Sequence, residues 1–220
     1  MATIAKLDKK FNIIKTVSIT GTISGLEHLD GNNFIVSRFI SGTNSAVQTI
    51  YIDWKAGAIR QVNTIVSTAT ATTTYRGVSA DEKYYYYFIK TATPLIVLRK
   101  VDRNGKIVDP VFNSATSSFW GVTRKEMGNR MIISEQVGGS LVPNITMIDK
   151  ANHLLSRLSL GAGEIPTDLT FDGKYIYCCD SGTDKVTQYD LKFKIIRVSS
   201  AMSFNAGAVT TDGKYLYVAG

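Results

Sequence analysis

The stretch Thr170-Phe171-Asp172-Gly173-Lys174-Tyr175-Ile176-Tyr177 returns 40 residues later as Thr210-Thr211-Asp212-Gly213-Lys214-Tyr215-Leu216-Tyr217. In both copies, Asp-Gly provides the backbone angles of a tight turn, and the aromatic and β-branched residues that follow favour a strand. Weaker copies begin at Leu29, Ser79 and Gly128. The motif therefore predicts a β-hairpin that recurs five times along the chain.

A second repeated element is an apolar stretch that ends in Asp and is followed by another turn. Its Asp residues are Asp8, Asp53, Asp102, Asp149 and Asp190, at intervals of 45, 49, 47 and 41 residues. Five copies in 220 residues average about 44 residues each, which is the length of one four-stranded propeller blade. The two repeats together predict an all-β fold, a five-bladed β-propeller with four-stranded antiparallel blades.

The two ends of the chain look like the two halves of one blade. Residues 10–15 match residues 192–197, which follow the last Asp-ended stretch, whereas residues 206–220 supply only a hairpin. We therefore predict a single propeller domain over 1–220, with blade 5 shared between residues 1–20 and 206–220. Pairing the halves would remove two exposed strand edges. An open β-sandwich or a solenoid is the alternative.

The repeat also resembles known propeller families. The Asp-Gly-Lys-Tyr-(Ile/Leu)-Tyr element looks like the repeat of YVTN-type propellers, and Pro166-Thr167-Asp168-Leu169, with Asp180 and Tyr189-Asp190, is similar to NHL-type repeats. The resemblance is good over residues 160–220 and loose elsewhere. Those families usually have six or more blades, so five blades is a departure. Because they host unrelated functions, the resemblance implies the fold and little about activity.

Composition places the chain among ordinary globular proteins, with 44% hydrophobic and 20% charged residues. No apolar run approaches the roughly 18 residues of a membrane helix, and the N-terminal residues lack a leader-like apolar segment. We therefore expect a cytoplasmic or virion-associated protein without a membrane span. Cys178 and Cys179 are sequence neighbours that a strand points to opposite faces, so we expect two unpaired thiols, no metal site and no cofactor.

The net charge of +7 allows an acidic partner. The turns that carry the repeated Asp residues also carry many of the basic residues, which form a candidate basic face: Lys9, Lys10, Lys55, Lys106, Lys150, Lys174, Lys192, Lys194 and Lys214. One hypothesis is that this face docks onto an acidic surface, and the other is that these are ordinary solvated turns. Few aromatic residues interleave with the lysines, and no element that reads nucleic-acid sequence is visible.

The loops at the opposite end are rich in Thr, Ser, Gly and Asn and nearly free of charge. Candidate ligand-binding residues lie just before or within the inner strands near the expected channel mouth: Tyr75, Arg76, Phe119, Trp120, Phe204, Asn205 and Glu27. Aromatic rings among hydroxyl and amide groups suit a glycan or a protein partner. The alternative is that the aromatic residues plug the channel or pack between blades. We expect Glu27 to line the channel with Ser79, Thr123, Thr170 and Thr210, which occupy equivalent positions.

A catalytic role receives less support from the sequence. A glycosidase needs two carboxylates at a defined separation. The carboxylates that could reach the mouth occupy unrelated repeat positions: Glu27, Glu135, Glu164, Asp168 and Asp180. The sequence therefore favours a non-enzymatic binding or assembly module that recognises a glycan or protein at the mouth. The alternatives are a structural component of a virus or other large assembly, docked through the basic face, and a small glycosidase- or lactonase-like enzyme.

Overall fold

The computed structural model describes residues 1–41, 44–69, 73–91, 96–114, 117–123, 130–137, 143–149, 153–161 and 163–220. At 109–114, 117–118 and 136–137 it describes the backbone alone. Within these ranges the protein has twenty strands and no helix, and the strands form five separate four-stranded antiparallel sheets. The predicted fold class is therefore confirmed: the chain is a five-bladed β-propeller.

The first two strands, β1 (Ala2–Leu7) and β2 (Ile13–Ile19), belong to blade 5. Blade 1 contains β3 (Thr22–Asp30), β4 (Asn33–Ser41), β5 (Asn44–Asp53) and β6 (Ala58–Thr68). Blade 2 contains β7 (Thr74–Ala80), β8 (Tyr84–Lys90), β9 (Ile96–Asp102) and β10 (Ile107–Ser114). Blade 3 contains β11 (Ser117–Thr123), β12 (Arg130–Val137), β13 (Pro143–Asp149) and β14 (Leu154–Ser159). Blade 4 contains β15 (Pro166–Phe171), β16 (Ile176–Asp180), β17 (Lys185–Tyr189) and β18 (Ile195–Val198). Blade 5 is completed by β19 (Ala208–Thr211) and β20 (Leu216–Ala219).

Blade 5 closes the ring by joining the two ends of the chain. Its strand order is β19-β20-β1-β2, and β1 runs antiparallel to β20, with Ile4 opposite Ala219 and Leu7 opposite Leu216. Beyond the paired strands, the amide of Thr3 donates to the carbonyl of Gly220 at 2.7 Å, and the reverse bond is 3.0 Å. The N-terminal strands therefore complete the last blade, as the sequence predicts.

The recurring Asp and Tyr of the hairpin motif hold each inner turn together. Oδ1 of Asp172 accepts the amides of Lys174 and Tyr175 at 3.0 and 2.8 Å, and its Oδ2 accepts the hydroxyl of Tyr177 at 2.9 Å. Equivalent hydroxyl bonds join Tyr217 to Asp212 and Tyr86 to Asp81, both at 2.7 Å. The same geometry recurs in three blades, because one carboxylate accepts hydrogen bonds from both the turn amides and a tyrosine hydroxyl of the next strand.

The core lies between neighbouring blades and is built by apolar residues of the inner strands. One buried position recurs in all five: Leu26, Val78, Val122, Leu169 and Val209 are each no more than 1% exposed. The largest cluster joins blades 5 and 1 through Ile4, Tyr217, Phe34 and Ile50. Each inner strand is therefore held by packing against the blades on either side of it. This packing also holds in place the residues at the start of each inner strand, near the axis.

Glycines let the inner strands approach one another at the axis. A Cβ atom added to Gly25 would lie 2.6 Å from the Cα of Gly77, and one added to Gly77 would lie 2.8 Å from the Cα of Gly121. A Cβ atom added to Gly121 would lie 2.5 Å from the Cα of Asp168. These separations are too short for any side chain, so the axis is narrow where blades 1 to 4 meet.

Candidate ligand-binding site

A pocket of about 230 Å³ opens at the axis, at the end where the inner strands begin. All five blades contribute to it. Its walls are formed by Ile23, Ser24, Phe39, Thr74, Tyr75, Arg76, Trp120, Thr167, Ser181, Asn205 and Gly207. This mouth pocket combines aromatic rings with hydroxyl and amide groups, and Arg76 is the one charged residue among the described residues that line it.

Five of these residues occupy one repeat position. Ser24, Arg76, Trp120, Thr167 and Gly207 each stand two residues before the buried apolar position of their inner strand. Pairing is irregular here in blades 1 to 4, because the ladders skip Ser24, Gly77, Trp120 and Thr167. Such bulges turn a side chain away from the regular alternation of a strand. The bulges therefore set the directions of the Ser24, Trp120 and Thr167 side chains in the mouth pocket.

The pair of Arg76 and Trp120 dominates one side of the pocket. The guanidinium carbon of Arg76 lies 4.0 Å from the centre of the Trp120 ring, which is a close cation–π contact. Both residues are half-buried. Desolvation by burial lowers the pKa of Arg76, although an arginine remains charged at neutral pH.

The other predicted aromatic residues have packing roles. Tyr75 is buried and meets the ring of Tyr87 edge-on at 5.6 Å, so it forms a wall of the pocket. Phe119 is fully buried and stacks on Phe88 at 5.2 Å, between blades 2 and 3. Phe204 packs against the cluster between blades 4 and 5. Phe119 thus lies in the core and the partly buried Phe204 packs against it, which matches the packing alternative for these two residues.

The remaining two ligand-binding candidates, Asn205 and Glu27, lie in different parts of the channel. Asn205 is exposed and lines the mouth pocket. Glu27 is 1% exposed and lies deeper in the channel, where its Oε1 accepts the hydroxyl of Thr210 at 2.8 Å and its Oε2 that of Ser79 at 3.4 Å. Glu27 therefore ties three inner strands together instead of facing the mouth.

Asp168 is the second carboxylate at the axis. It stands where blades 1 to 3 have glycine, and its Oδ2 accepts the amides of Leu26 and Val209, both at 3.2 Å. Burial raises the pKa of Asp168 well above its usual range, and the nearby charge of Glu27 raises it further. Asp168 thus bridges blades 4, 1 and 5 in a narrow, fully buried setting.

The other carboxylates considered for catalysis are bound elsewhere. Glu135 accepts the guanidinium of Arg157 at 2.8 Å and the hydroxyl of Thr146. Glu164 accepts the amide of Gly161, and Asp180 accepts those of Ile165 and Gly182. Among the described residues, none of these carboxylates lines the mouth pocket, so that pocket does not present the carboxylate pair of a glycosidase.

The turns of the candidate basic face lie at the end opposite the mouth. Lys9 binds Oδ2 of Asp172 at 2.9 Å and covers the ring of Tyr177, so it joins blades 5 and 4. The ammonium groups of Lys174 and Lys214 lie over the rings of Tyr175 and Tyr215. The other described members are exposed: Lys10, Lys55, Lys106, Lys192 and Lys194. Lys150 lies outside the described residues.

Cys178 and Cys179 are both buried and unpaired, as the sequence predicts. Burial raises the pKa of both thiols well above the usual range, which keeps them protonated. In the part of the chain that the structure describes, no three His, Cys, Asp or Glu side chains are grouped for a metal ion. No described helix is long and apolar enough to cross a membrane.

Sequence reasoning found part of the mouth pocket. It selected Tyr75, Arg76, Trp120 and Asn205, which the structure brings together. It did not select the hydroxyl residues Ser24, Thr74, Thr167 and Ser181. Aligning the five inner strands and reading the residue two places before each buried apolar position would have found Ser24 and Thr167.

Comparison with protein-family models and with curated proteins gives no match. Among solved structures, a glutaminyl cyclase from Myxococcus xanthus is 11% identical and has a TM-score of 0.63, covering 98% of this chain and 93% of its own. A chain of a nidogen–laminin complex is 14% identical with a TM-score of 0.62, covering 99% and 85%. A candidate 6-phosphogluconolactonase from Bacteroides uniformis is 16% identical with a TM-score of 0.50, covering 99% and 74%.

These similarities establish the fold alone, because all the identities are low. They confirm the resemblance to YVTN- and NHL-type propellers at the level of fold. A propeller of this kind fits a binding or assembly module, and its structural neighbours also include enzymes.

Proposed function

We propose that the protein is a non-enzymatic recognition module that binds a glycan in the mouth pocket. The observation that carries this proposal is the composition of the pocket, in which aromatic rings stand among hydroxyl and amide side chains from all five blades. Sugars present a similar mixture of apolar ring faces and hydroxyl groups.

The size of the pocket favours a glycan over a flat protein surface. Its volume of about 230 Å³ is below the roughly 300–1,000 Å³ of pockets that hold drug-sized ligands. A cavity of this size suits one sugar unit at the end of a longer chain. Protein interfaces are wider, burying about 800 Å² on each partner.

One buried hydroxyl supports the presence of a polar ligand. Thr74 lines the pocket, and its buried Oγ1 has no hydrogen-bond partner in the described structure. Buried polar atoms in native proteins are almost always satisfied. A sugar hydroxyl in the pocket would supply the bond that Thr74 lacks.

The lining favours binding over catalysis. Oγ of Ser24 donates to the carbonyl of Tyr75 at 2.9 Å, and Oγ1 of Thr167 donates to that of Ala206 at 3.1 Å. Each hydroxyl therefore donates to a backbone carbonyl and not to a base that would activate it as a nucleophile. No His, Cys, Asp or Glu is among the described residues that line the pocket.

A glycan array tests the proposal with three proteins: the parent, Trp120→Ala and Tyr51→Ala. Tyr51 is a matched control because it also packs against an arginine, Arg60, at 4.8 Å but lies outside the mouth pocket. We expect the parent and Tyr51→Ala to bind the same glycans and Trp120→Ala to lose them. Absence of glycan binding by the folded parent would overturn the proposal.

Docking of the basic face within a larger assembly is a second candidate function. It is favoured by five lysines of this face that extend into solvent, whereas the Asp side chains of the same turns bind turn amides, as Asp190 does with Lys192 and Lys194. High salt should release a partner held in this way. Attachment that is insensitive to salt would contradict this role.

A further inference from the structure

Arg76 is the one partly buried arginine of the mouth pocket, and its guanidinium has no described anionic partner. Two other arginines have hydrogen-bonded partners. Arg38, which is 9% exposed, donates to Oε1 of Gln48 at 2.7 Å and to the carbonyl of Thr20 at 3.1 Å. Arg157 pairs with Glu135 at 2.8 Å. Arg76 instead has the ring of Trp120 against one face.

The position of Trp120 leaves the edge of the guanidinium for a ligand. The guanidinium carbon lies over the Trp120 ring, and no hydrogen bond from the N–H donors of Arg76 is seen in the described structure. Arginine has five such donors, which point outward in the plane of the group. The ring also restricts the rotation of the Arg76 side chain, so less conformational entropy is lost when a ligand binds. The contact with Trp120 thus holds the guanidinium in position but provides no acceptor for its N–H donors.

Partial burial of the Arg76 guanidinium costs free energy unless an anion binds to it. A charged group that leaves bulk water needs a partner of opposite charge or several hydrogen bonds. No carboxylate is among the described residues that line the pocket. The hydroxyl of Thr74, which is two residues before Arg76 in the sequence, also lacks a hydrogen-bond partner in the described structure.

We propose that the ligand of the mouth pocket is an acidic sugar whose carboxylate binds the guanidinium edge of Arg76. This inference rests on the proposed glycan-binding function and adds the chemical class of the ligand. A carboxylate is planar and singly charged, and it matches one guanidinium fork in both shape and charge. The sugar hydroxyls bind other polar residues that line the pocket, Thr74 and the exposed Asn205.

A single cation favours a carboxylate over a phosphate or sulfate group. Phosphate esters carry up to two charges and three acceptor oxygens, and their sites gather several cations or a row of backbone amides. The mouth pocket has one arginine and no lysine among its described lining residues. The size and the hydroxyl-rich walls of the pocket favour a sugar over an acidic peptide.

Binding titrations test the inference with probes of known charge. The probes are oligosaccharides that end in glucuronic acid or N-acetylneuraminic acid, and matched oligosaccharides that end in glucose or N-acetylglucosamine. We expect the parent to bind one acidic series roughly 10- to 100-fold more tightly than its neutral match, the usual effect of a hydrogen-bonded charge. This preference should shrink between about 0.05 M and about 0.5 M NaCl.

Three variants assign the preference to Arg76. In Arg76→Gln the acidic and neutral probes should bind equally, and Arg76→Lys should keep part of the preference, because lysine retains the charge without the fork. Arg60→Gln is the control, since Arg60 also packs on an aromatic ring but lies outside the pocket. Thermal unfolding of each variant shows whether the ring is intact.

The outcomes separate this inference from the function on which it rests. Equal binding of acidic and neutral glycans by the parent, unchanged in Arg76→Gln, would overturn the acidic-sugar inference and leave glycan binding in place. Arg76-dependent binding of a Glu- and Asp-rich peptide, with no glycan bound, would overturn both the inference and the proposed glycan function. Loss of the acidic preference in Arg76→Gln alone would support the inference.

Discussion

The guanidinium of Arg76 lies 4.0 Å from the ring centre of Trp120, across the boundary between blades 2 and 3. Each of the two residues immediately precedes a glycine, Gly77 or Gly121, at which the two inner strands come into close contact. The contact between these backbones brings the two side chains together. The Arg76–Trp120 contact at the mouth is therefore a consequence of how the inner strands pack at the axis.

The close packing at the axis predicts that Gly121→Ala is strongly destabilising. The new Cβ atom would lie 2.5 Å from the Cα of Asp168, so a strand must shift. We expect a loss of about 3 kcal/mol or more in the free energy of unfolding, at the upper end of overpacking effects. Urea denaturation measures it.

Gly213→Ala is the control for this substitution. Gly213 has a φ of +88° and no atom within 4 Å of the added Cβ, so only the backbone conformation is strained. We expect a loss of about 1–2 kcal/mol. If the loss in Gly121→Ala were no larger, the close approach of the inner strands would not be a source of strain.

The hairpin motif predicts that the Tyr177 hydroxyl stabilises the fold. In Tyr177→Phe the ring remains in place, but the bond of 2.9 Å to Oδ2 of Asp172 is lost. We expect a loss of about 1.5–3 kcal/mol, typical of a hydrogen bond to a charged group. Tyr215→Phe should have little effect on thermal unfolding, because its ring contacts Lys6 and no hydrogen bond from its hydroxyl is seen in the described structure. Equal effects would contradict the role of the hydroxyl.

The closing strand predicts that Leu7→Ala destabilises the ring. Leu7 is fully buried in the cluster between blades 4 and 5 and pairs with Leu216 of β20. Its truncation should lower the free energy of unfolding by about 2–5 kcal/mol. Ile14→Ala is the control, because Ile14 on the next strand is 54% exposed and should be nearly neutral. Comparable losses in chemical denaturation would argue against the buried position of β1.

The buried carboxylate at the axis predicts a loss of stability as the pH rises. The pKa of Asp168 is raised in the folded state, so the folded protein holds this proton more strongly than the unfolded chain. The destabilisation begins above the ordinary pKa of 3.8 and is complete above the raised value. Asp168→Asn should flatten this dependence in unfolding measurements across pH. An unchanged profile would show that Asp168 does not cause it.

Two turn carboxylates predict the opposite dependence in acid. The pKa values of Asp172 and Asp212 are both lowered, although burial alone would raise them. Asp172 accepts hydrogen bonds from Lys9 and turn amides. Asp212 accepts them from turn amides and Tyr217. Their contribution is therefore present above the ordinary value of 3.8 and is lost as the pH falls through the lowered values. In unfolding measurements across pH, Asp172→Asn should reduce the loss of stability in acid. It should leave unchanged the loss of stability that Asp168 causes as the pH rises.

The fold was predictable because the repeated residues determine both the hydrogen bonds of the turns and the buried positions of the strands. The Asp and Tyr of each hairpin motif form local hydrogen bonds, and the buried apolar position of every inner strand follows simple alternation. These features are local, so the sequence shows them directly. The join between β1 and β20 was also predictable, because two incomplete blades leave unpaired edges.

The mouth pocket was only partly predictable because bulges interrupt the alternation. Phe119 and Trp120 are adjacent and similar in character, yet Phe119 is buried against Phe88 and Trp120 lines the pocket. The ladder skips Trp120, and the resulting bulge sets its direction. Simple strand alternation does not show where such a bulge falls. The position of Asp168 at the axis likewise depends on glycines in three other blades.

The two tryptophans provide the most direct test of the mouth pocket as the binding site. Trp120 lines the pocket, whereas Trp54 packs against Phe34 and Tyr217 near the opposite end. The ¹H–¹⁵N spectrum of the indole groups should therefore respond selectively when the tightest-binding acidic glycan is added. We predict that the Trp120 signal shifts or broadens while the Trp54 signal stays in place. A bound glycan that leaves the Trp120 signal unchanged would contradict the account.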